Sequence, residues 1–218
     1  MTELVVRKDL RAELGPVRDQ GRRPTCLAFA ASACHEHAQA LQAPFSAEWL
    51  YYHAVKREGG QPEDGCAPSD VCLVVAEDGQ PFETAWPYHT HVEAPWTPAT
   101  DVGELFRADE VPCAFAFEEV AREVESDRPI VLGLYIGQTF RAPAVIGGEA
   151  RVVDDSDDID PESGHAVLAV GTGVLDGDDV ILVRNSWGAR WGVGGHAWLS
   201  RDYLERRALA AFGFKARN

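Results

Sequence analysis

The chain is poor in positive charge. Its 218 residues hold 20 Lys and Arg against 35 Asp and Glu, a formal net charge of −15. Nucleic acid and anionic membrane surfaces both require a cationic footprint, so neither is expected as a partner. The deficit fits a soluble protein and a preference for basic or neutral substrates. Long apolar runs are also missing, and nothing approaches the roughly 20 residues of a membrane-crossing helix. Residues 1–9 lack the basic start and apolar stretch of a secretory leader, so none is expected. Cysteine is sparse and odd in number, with five at positions 26, 34, 66, 72 and 113. That spacing does not read as a disulfide framework. It points to a reducing cytoplasm and leaves only a Cys66–Cys72 bridge open. The remaining composition is that of an ordinary globular protein, and the length suits one large domain or two tightly packed lobes.

Helix signals fill the first half. Residues 1–23 read as extended or looped, with Gly15-Pro16 as a turn. Thr25 is an acceptable N-cap, and the alanine-rich run behind it predicts a buried helix over 26–41. A second helix follows Ser46, and a third spans 69–77 and stops at Gly79. Residues 58–68 form a loop, and 81–100 carry little regular structure. A helical turn is expected over 101–107, a strand over 113–117 and a helix over 118–126. The apolar run 129–136 reads as a buried strand. An acidic loop covers 147–164, followed by strands at 165–171, 179–184 and 195–200. Helices first and strands later predict an α+β fold.

Two stretches carry chemistry. The first is Gln20-Gly21-Arg22-Arg23-Pro24-Thr25-Cys26-Leu27-Ala28-Phe29. The second is Gly164-His165-Ala166-Val167 with Arg184-Asn185-Ser186-Trp187-Gly188. A thiol at a helix start gains from the unpaired amides there, which favour the thiolate. His165, at the head of an apolar strand, is suited to take its proton. Asn185 can accept the other imidazole N–H and fix the tautomer. Gln20 and the Cys26 amide can donate to a developing oxyanion. The set is that of a cysteine nucleophile, its base, the base's orienter and an oxyanion donor.

Each residue also has a plainer reading. A cysteine in an alanine-rich helix is usually a small core hydrophobe, and Cys34, Cys72 and Cys113 keep that reading. Trp191 is expected in the core. No metal or other cofactor is expected. The neighbours in Cys34-His35-Glu36-His37 do not face one another on a helix, and His89-Thr90-His91 is equally weak. The acidic run 154–160 lacks the glycine and the terminal glutamate of a calcium loop. It is read as a solvated loop on the rim of the cleft that disfavours acidic substrates.

The quoted phrases resemble the papain-like (C1) cysteine peptidases. Looser matches lie between them, at Ser46-Ala47-Glu48-Trp49-Leu50-Tyr51-Tyr52, Asp64-Gly65 and Ala85-Trp86-Pro87-Tyr88. His165 and Asn185 follow Cys26 at close to the family's spacing of about 130–150 residues. The resemblance implies a papain-like two-lobed fold: a helical left lobe over about 20–107, and an antiparallel β right lobe over about 108–218 with the N-terminal segment. The active-site cleft would lie between them. It implies Cys26 as nucleophile, His165 as base and then acid, Asn185 as orienter and Gln20 as oxyanion donor. Trp187 would shield the His165–Asn185 bond, and Gly65 and Gly164 would line the substrate site. The substrate would be a peptide or protein, and oligomeric state is left open. Arg23-Pro24-Thr25 precedes Cys26 where typical papains have Cys-Gly-Ser. The resemblance sets Arg22 in place of the structural cysteine and leaves Cys66 without its expected partner. It is closest in kind to intracellular bacterial members, and no pro-segment is expected ahead of residue 1. Peptide hydrolysis leads the functional readings. Acyl or peptidyl transfer from the same acyl-enzyme is the second, and a non-catalytic binder of this fold is the third.

Overall fold

The computed structural model describes residues 3–92, 95–153 and 158–217. Five alanines help to form helix α1 over Cys26–Ala38, and every residue from Leu27 to Glu36 is buried. Small side chains let this helix lie close against the strands behind it. It ends three residues earlier than alanine propensity predicts. Ala40 turns left-handed at φ 54, and the Leu41 amide donates back to the Glu36 carbonyl at 2.9 Å. That closing bond is a Schellman-type stop. Helix α2, Ala47–Arg57, starts where predicted, because the Ser46 hydroxyl accepts the Trp49 amide at 3.0 Å. Helix α3, Pro68–Leu73, opens on a proline whose missing N–H costs nothing in a first turn. A wider turn continues it to Gly79.

The second half builds the sheet. Its strands are β1 Leu4–Asp9, β2 Ala108–Pro112, β3 Ile130–Tyr135, β4 Ala144–Ile146, β5 Glu149–Val152, β6 Gly164–Leu175, β7 Asp178–Arg184, β8 His196–Ser200 and β9 Ala208–Ala216. Helix α4, Phe117–Glu125, precedes β3; α5, Gln138–Arg141, follows it; α6, Arg201–Arg207, links β8 to β9. The strand order is β2-β9-β3-β6-β7-β8-β5-β4, and β1 also pairs with β6. All pairings among the described residues are antiparallel except β5 with β8. Strand β6 is central. Its first half pairs with β3, its second half with β1, and β7 runs along its other edge. The architecture is α+β, as predicted. No helix among the described residues is long and apolar enough to cross a membrane.

Several local expectations fail for identifiable reasons. Residues 101–107 form no helical turn, because Phe106 exchanges both backbone bonds with Gln80, at 2.8 and 3.1 Å. The strand predicted at 113–117 lies at β2 instead. Pairing with Phe212–Ala216 of β9 decides its place, and Phe115 points to solvent. The loop predicted over 147–164 contains β5, which turns back on β4 through Gly147 and Gly148 at φ 63 and 88. A Gly-Gly pair between two short extended runs is a hairpin signal, and it was present in the sequence. Residues 154–157 of the acidic run lie outside the described residues. All five cysteines are free, so Cys66 and Cys72 are not bridged.

Candidate active site

Cys26 is the first residue of α1, half-buried and without a side-chain cap beside it. Thr25 holds the N-cap position but does not cap. Its hydroxyl is hydrogen bonded to that of Tyr88 at 3.0 Å, so the first amides of the helix stay open to the thiol. Burial pushes the Cys26 thiol above its ordinary pKa, while the amides of Ala166, Leu27 and Cys26 itself pull it back.

His165 is the second residue of β6 and lies opposite Leu134 of β3. Its Nε2–H donates to Asn185 Oδ1 at 2.8 Å. The same oxygen accepts the Ser186 amide at 2.8 Å, which identifies it as the carbonyl end of the side chain. Nε2 therefore carries the proton and Nδ1 is the basic nitrogen. Asn185, just past β7, is fixed by its own amide, which donates to the Gly195 carbonyl at 3.0 Å. The Trp187 ring lies 4.6 Å from the imidazole, and Phe140 meets both rings edge-on at 5.8 Å. His165 is 7% exposed and Asn185 2%, so water has little access to the bond between them.

Gln20 comes from the opposite end of the chain and is bound to the same strand end. Its backbone amide donates to the Ser186 carbonyl at 2.8 Å. Its Oε1 accepts the Ser186 hydroxyl at 2.6 Å, and Nε2 donates to the Arg23 carbonyl at 2.8 Å. An amide nitrogen has two N–H bonds, so one remains for a ligand. Gly188 completes the seam. It sits at φ 74, and its amide donates to the Arg18 carbonyl at 3.1 Å.

Cys26 and His165 together line two connected hollows. One, about 410 Å³, is largely apolar and is walled by Leu27, Gly65, Cys66, Gly133, Gly164 and Leu209 among others. The other, about 360 Å³, is polar and includes Gln20, Arg22, Arg141, Glu162 and Trp187. A Cβ at Gly65 or Gly164 would meet nothing within 4 Å, so both glycines leave open space. All seven residues singled out in the sequence thus border this cleft or support a residue that does. Cys66, Gly133 and Leu209 were not anticipated. Leu209 comes from β9, which carried no motif.

One expectation needs correcting. The residue in the place of the family's structural cysteine is Arg23, three positions before Cys26, and not Arg22. Arg22 is exposed, whereas Arg23 is buried and paired with Glu48. Cys66, left free by that replacement, sits in the cleft wall beside Cys26.

Burial also governs the histidines. His35, His165 and His196 are each lowered to about 4, chiefly by desolvation; the Asn185 bond partly offsets this for His165. Unfolded, each titrates near 6.5, so between 6.5 and 4 the unfolded chain binds more protons and stability falls as pH falls. Glu36 opposes this. Burial raises it to about 7, so its contribution is present below its ordinary 4.5 and lost as pH rises to 7. Three groups outweigh one. The melting temperature is expected to drop between pH 7 and pH 5, measured by scanning fluorimetry. A flat or rising profile would contradict the buried neutral histidines.

Residues 4–211 match the family described as papain family cysteine protease. A cysteine protease of Blomia tropicalis is 24% identical over 204 residues, covering 88% of this chain and 60% of that protein. The thiol protease aleurain of Arabidopsis thaliana is 29% identical over 198 residues, covering 87% and 54% respectively. The chain therefore spans under two thirds of the length of these curated relatives. Among solved structures, xylellain, a cysteine protease from Xylella fastidiosa, superposes with a TM-score of 0.79 at 22% identity, covering 99% of this chain and 86% of that one. The bromelain protease of Ananas comosus, in complex with the E64 inhibitor, gives 0.75 at 19%, covering 96% and 98%. Both structures show the same fold. The family match spans nearly the whole chain and includes every residue of the site, so the chain belongs to the papain family of cysteine proteases.

Proposed function

We propose that this protein is a cysteine-type peptidase that hydrolyses peptide bonds through a Cys26 acyl-enzyme. The observation that carries this reading is the hydrogen bond from His165 Nε2–H to Asn185 Oδ1, beside a thiol at a helix start. It leaves Nδ1 free to accept the thiol proton. Burial disfavours each charge alone, but one proton passed from Cys26 to His165 creates a thiolate–imidazolium pair without net charge. The thiolate attacks the peptide carbonyl, and the oxyanion is held by the free Gln20 Nε2–H and the Cys26 amide. The imidazolium protonates the leaving amine. The imidazole then takes a proton from water, which releases the acid from the thioester. Trp187 and Phe140 keep bulk water from the His165–Asn185 bond.

In this reading residues 20–107 form the left lobe. Residues 108–218 form the right lobe, joined by the N-terminal segment, whose strand β1 pairs with β6. Substrates are peptides or proteins. The free state of all five cysteines supports a reducing, cytoplasmic setting of the intracellular bacterial kind.

Peptide-library digestion followed by mass spectrometry tests the activity. Free carboxyl products are expected even with added amines. Dominant amide products would assign the acyl-enzyme to transfer instead, and no turnover would overturn both. Gln20→Ala is expected to lower kcat by about 10²–10³-fold with little change in KM, as removal of an oxyanion donor does. A loss below about threefold would remove Gln20 from that role.

A further inference from the structure

Only two of the five thiols line the cleft, Cys26 and Cys66. The others are placed elsewhere. Cys34 donates to the Pro129 carbonyl and Cys113 to that of Ala114, while Cys72 is buried on α3. Among the described residues no hydrogen bond ties the Cys66 thiol. It follows Gly65 in the irregular segment before α3, where added atoms at Gly65 would meet nothing within 4 Å. The wall carrying it therefore borders open space on the cleft side.

We propose that Cys66 is a resolving thiol for Cys26, closing a reversible disulfide across the cleft when a hydroperoxide oxidises the nucleophile. The steps balance. Cys26 thiolate attacks one peroxide oxygen, the O–O bond breaks, and Cys26 becomes a sulfenic acid while the peroxide leaves as an alcohol or water. Cys66 sulfur then attacks the Cys26 sulfur. The S–O bond breaks, and the sulfenic hydroxyl leaves as water with the Cys66 proton.

The electrostatics time the second step. At rest, Cys66 is pushed up to about 12, first by burial and then by the negative charge of Cys26, with Asp70 and Glu58 adding to it. It is thus a neutral thiol that does not compete with Cys26 for substrate. Conversion of Cys26 to a neutral sulfenic acid removes that repulsion, so Cys66 ionises more readily only once Cys26 has been oxidised. Without a resolving thiol, a sulfenic acid proceeds to sulfinic and sulfonic acids, which thiol reductants do not reverse. The disulfide would block activity and protect the nucleophile together.

The inference rests on the peptidase reading only for its activity readout. The test treats wild type, Cys66→Ser and Cys66→Ala with hydrogen peroxide, followed by intact mass and non-reducing peptide mapping. In wild type the expected result is a mass lower by two hydrogens and a linked peptide pair containing Cys26 and Cys66. Activity should be lost and then largely restored by dithiothreitol. In both variants Cys26 should instead gain two or three oxygens, with its activity not restored relative to the untreated variant. Overoxidation of Cys26 in wild type at the variants' rate, without the linked pair, would overturn the proposal. Peptide hydrolysis without the linked pair would leave the peptidase reading intact; the linked pair without hydrolysis would do the reverse.

Discussion

Cys26→Ala is expected to lower peptide hydrolysis by on the order of 10⁴- to 10⁶-fold while leaving the melting temperature nearly unchanged. The asymmetry follows from position. Cys26 opens α1 and is only half-buried, so the substitution deletes one sulfur at a cleft surface and installs the best helix former. Catalysis loses its covalent step altogether. Positioning by Gln20 and the cleft walls survives, which accounts for a residual rate above that in water. The same variant should lose labelling by an epoxide electrophile, read as an intact-mass shift present in wild type. Activity within about tenfold of wild type would remove Cys26 from the mechanism.

Arg23→Ala is expected to be the most damaging single change to stability. Arg23 and Glu48 are both buried, at 8% and 5% side-chain exposure. The guanidinium meets the carboxylate with both terminal nitrogens and also donates to the His89 carbonyl at 2.8 Å. It lies over the rings of Tyr51 and Tyr88, at 5.3 and 4.9 Å. Trp96 donates to the same carboxylate at 2.8 Å. Removing the arginine strands a buried charge, which costs about 3–5 kcal/mol. In a chain of this size that corresponds to a melting temperature lower by roughly 6–20 °C, measured by calorimetry. The double variant Arg23→Met, Glu48→Leu should recover most of the loss, because neither charge remains. A single-variant shift below about 2 °C would show that the pair contributes nothing.

The site was more legible in the sequence than its surroundings. Cys26, His165, Asn185 and Gln20 each sit in a phrase whose residues serve one geometry. Gly188, for instance, takes a left-handed φ beside Asp19 that a side chain would strain. Helix α2 was legible because Ser46 caps it locally. Some failures came where distant pairing overrode local pattern. Strand β2 is placed by β9, about 100 residues away, and nothing in 113–117 signals that choice. Helix α1 stops early because Leu41 reaches back to Glu36, although alanine alone would carry it further. The role of Arg23 was hidden because its partner Glu48 lies 25 residues on, in α2, and a buried ion pair leaves no spacing signature.

Ser186 makes the two ends of the reaction geometrically dependent. It binds Gln20 through both backbone and hydroxyl, and it follows directly on Asn185, which holds His165. A shift of the strand end that mis-sets the base therefore also mis-sets the oxyanion donor. Errors in the two parts are correlated, so the site has no arrangement in which proton transfer is correct and charge stabilisation is not. Strain that loosens residues 185–188 should thus switch activity off sharply instead of eroding it in proportion.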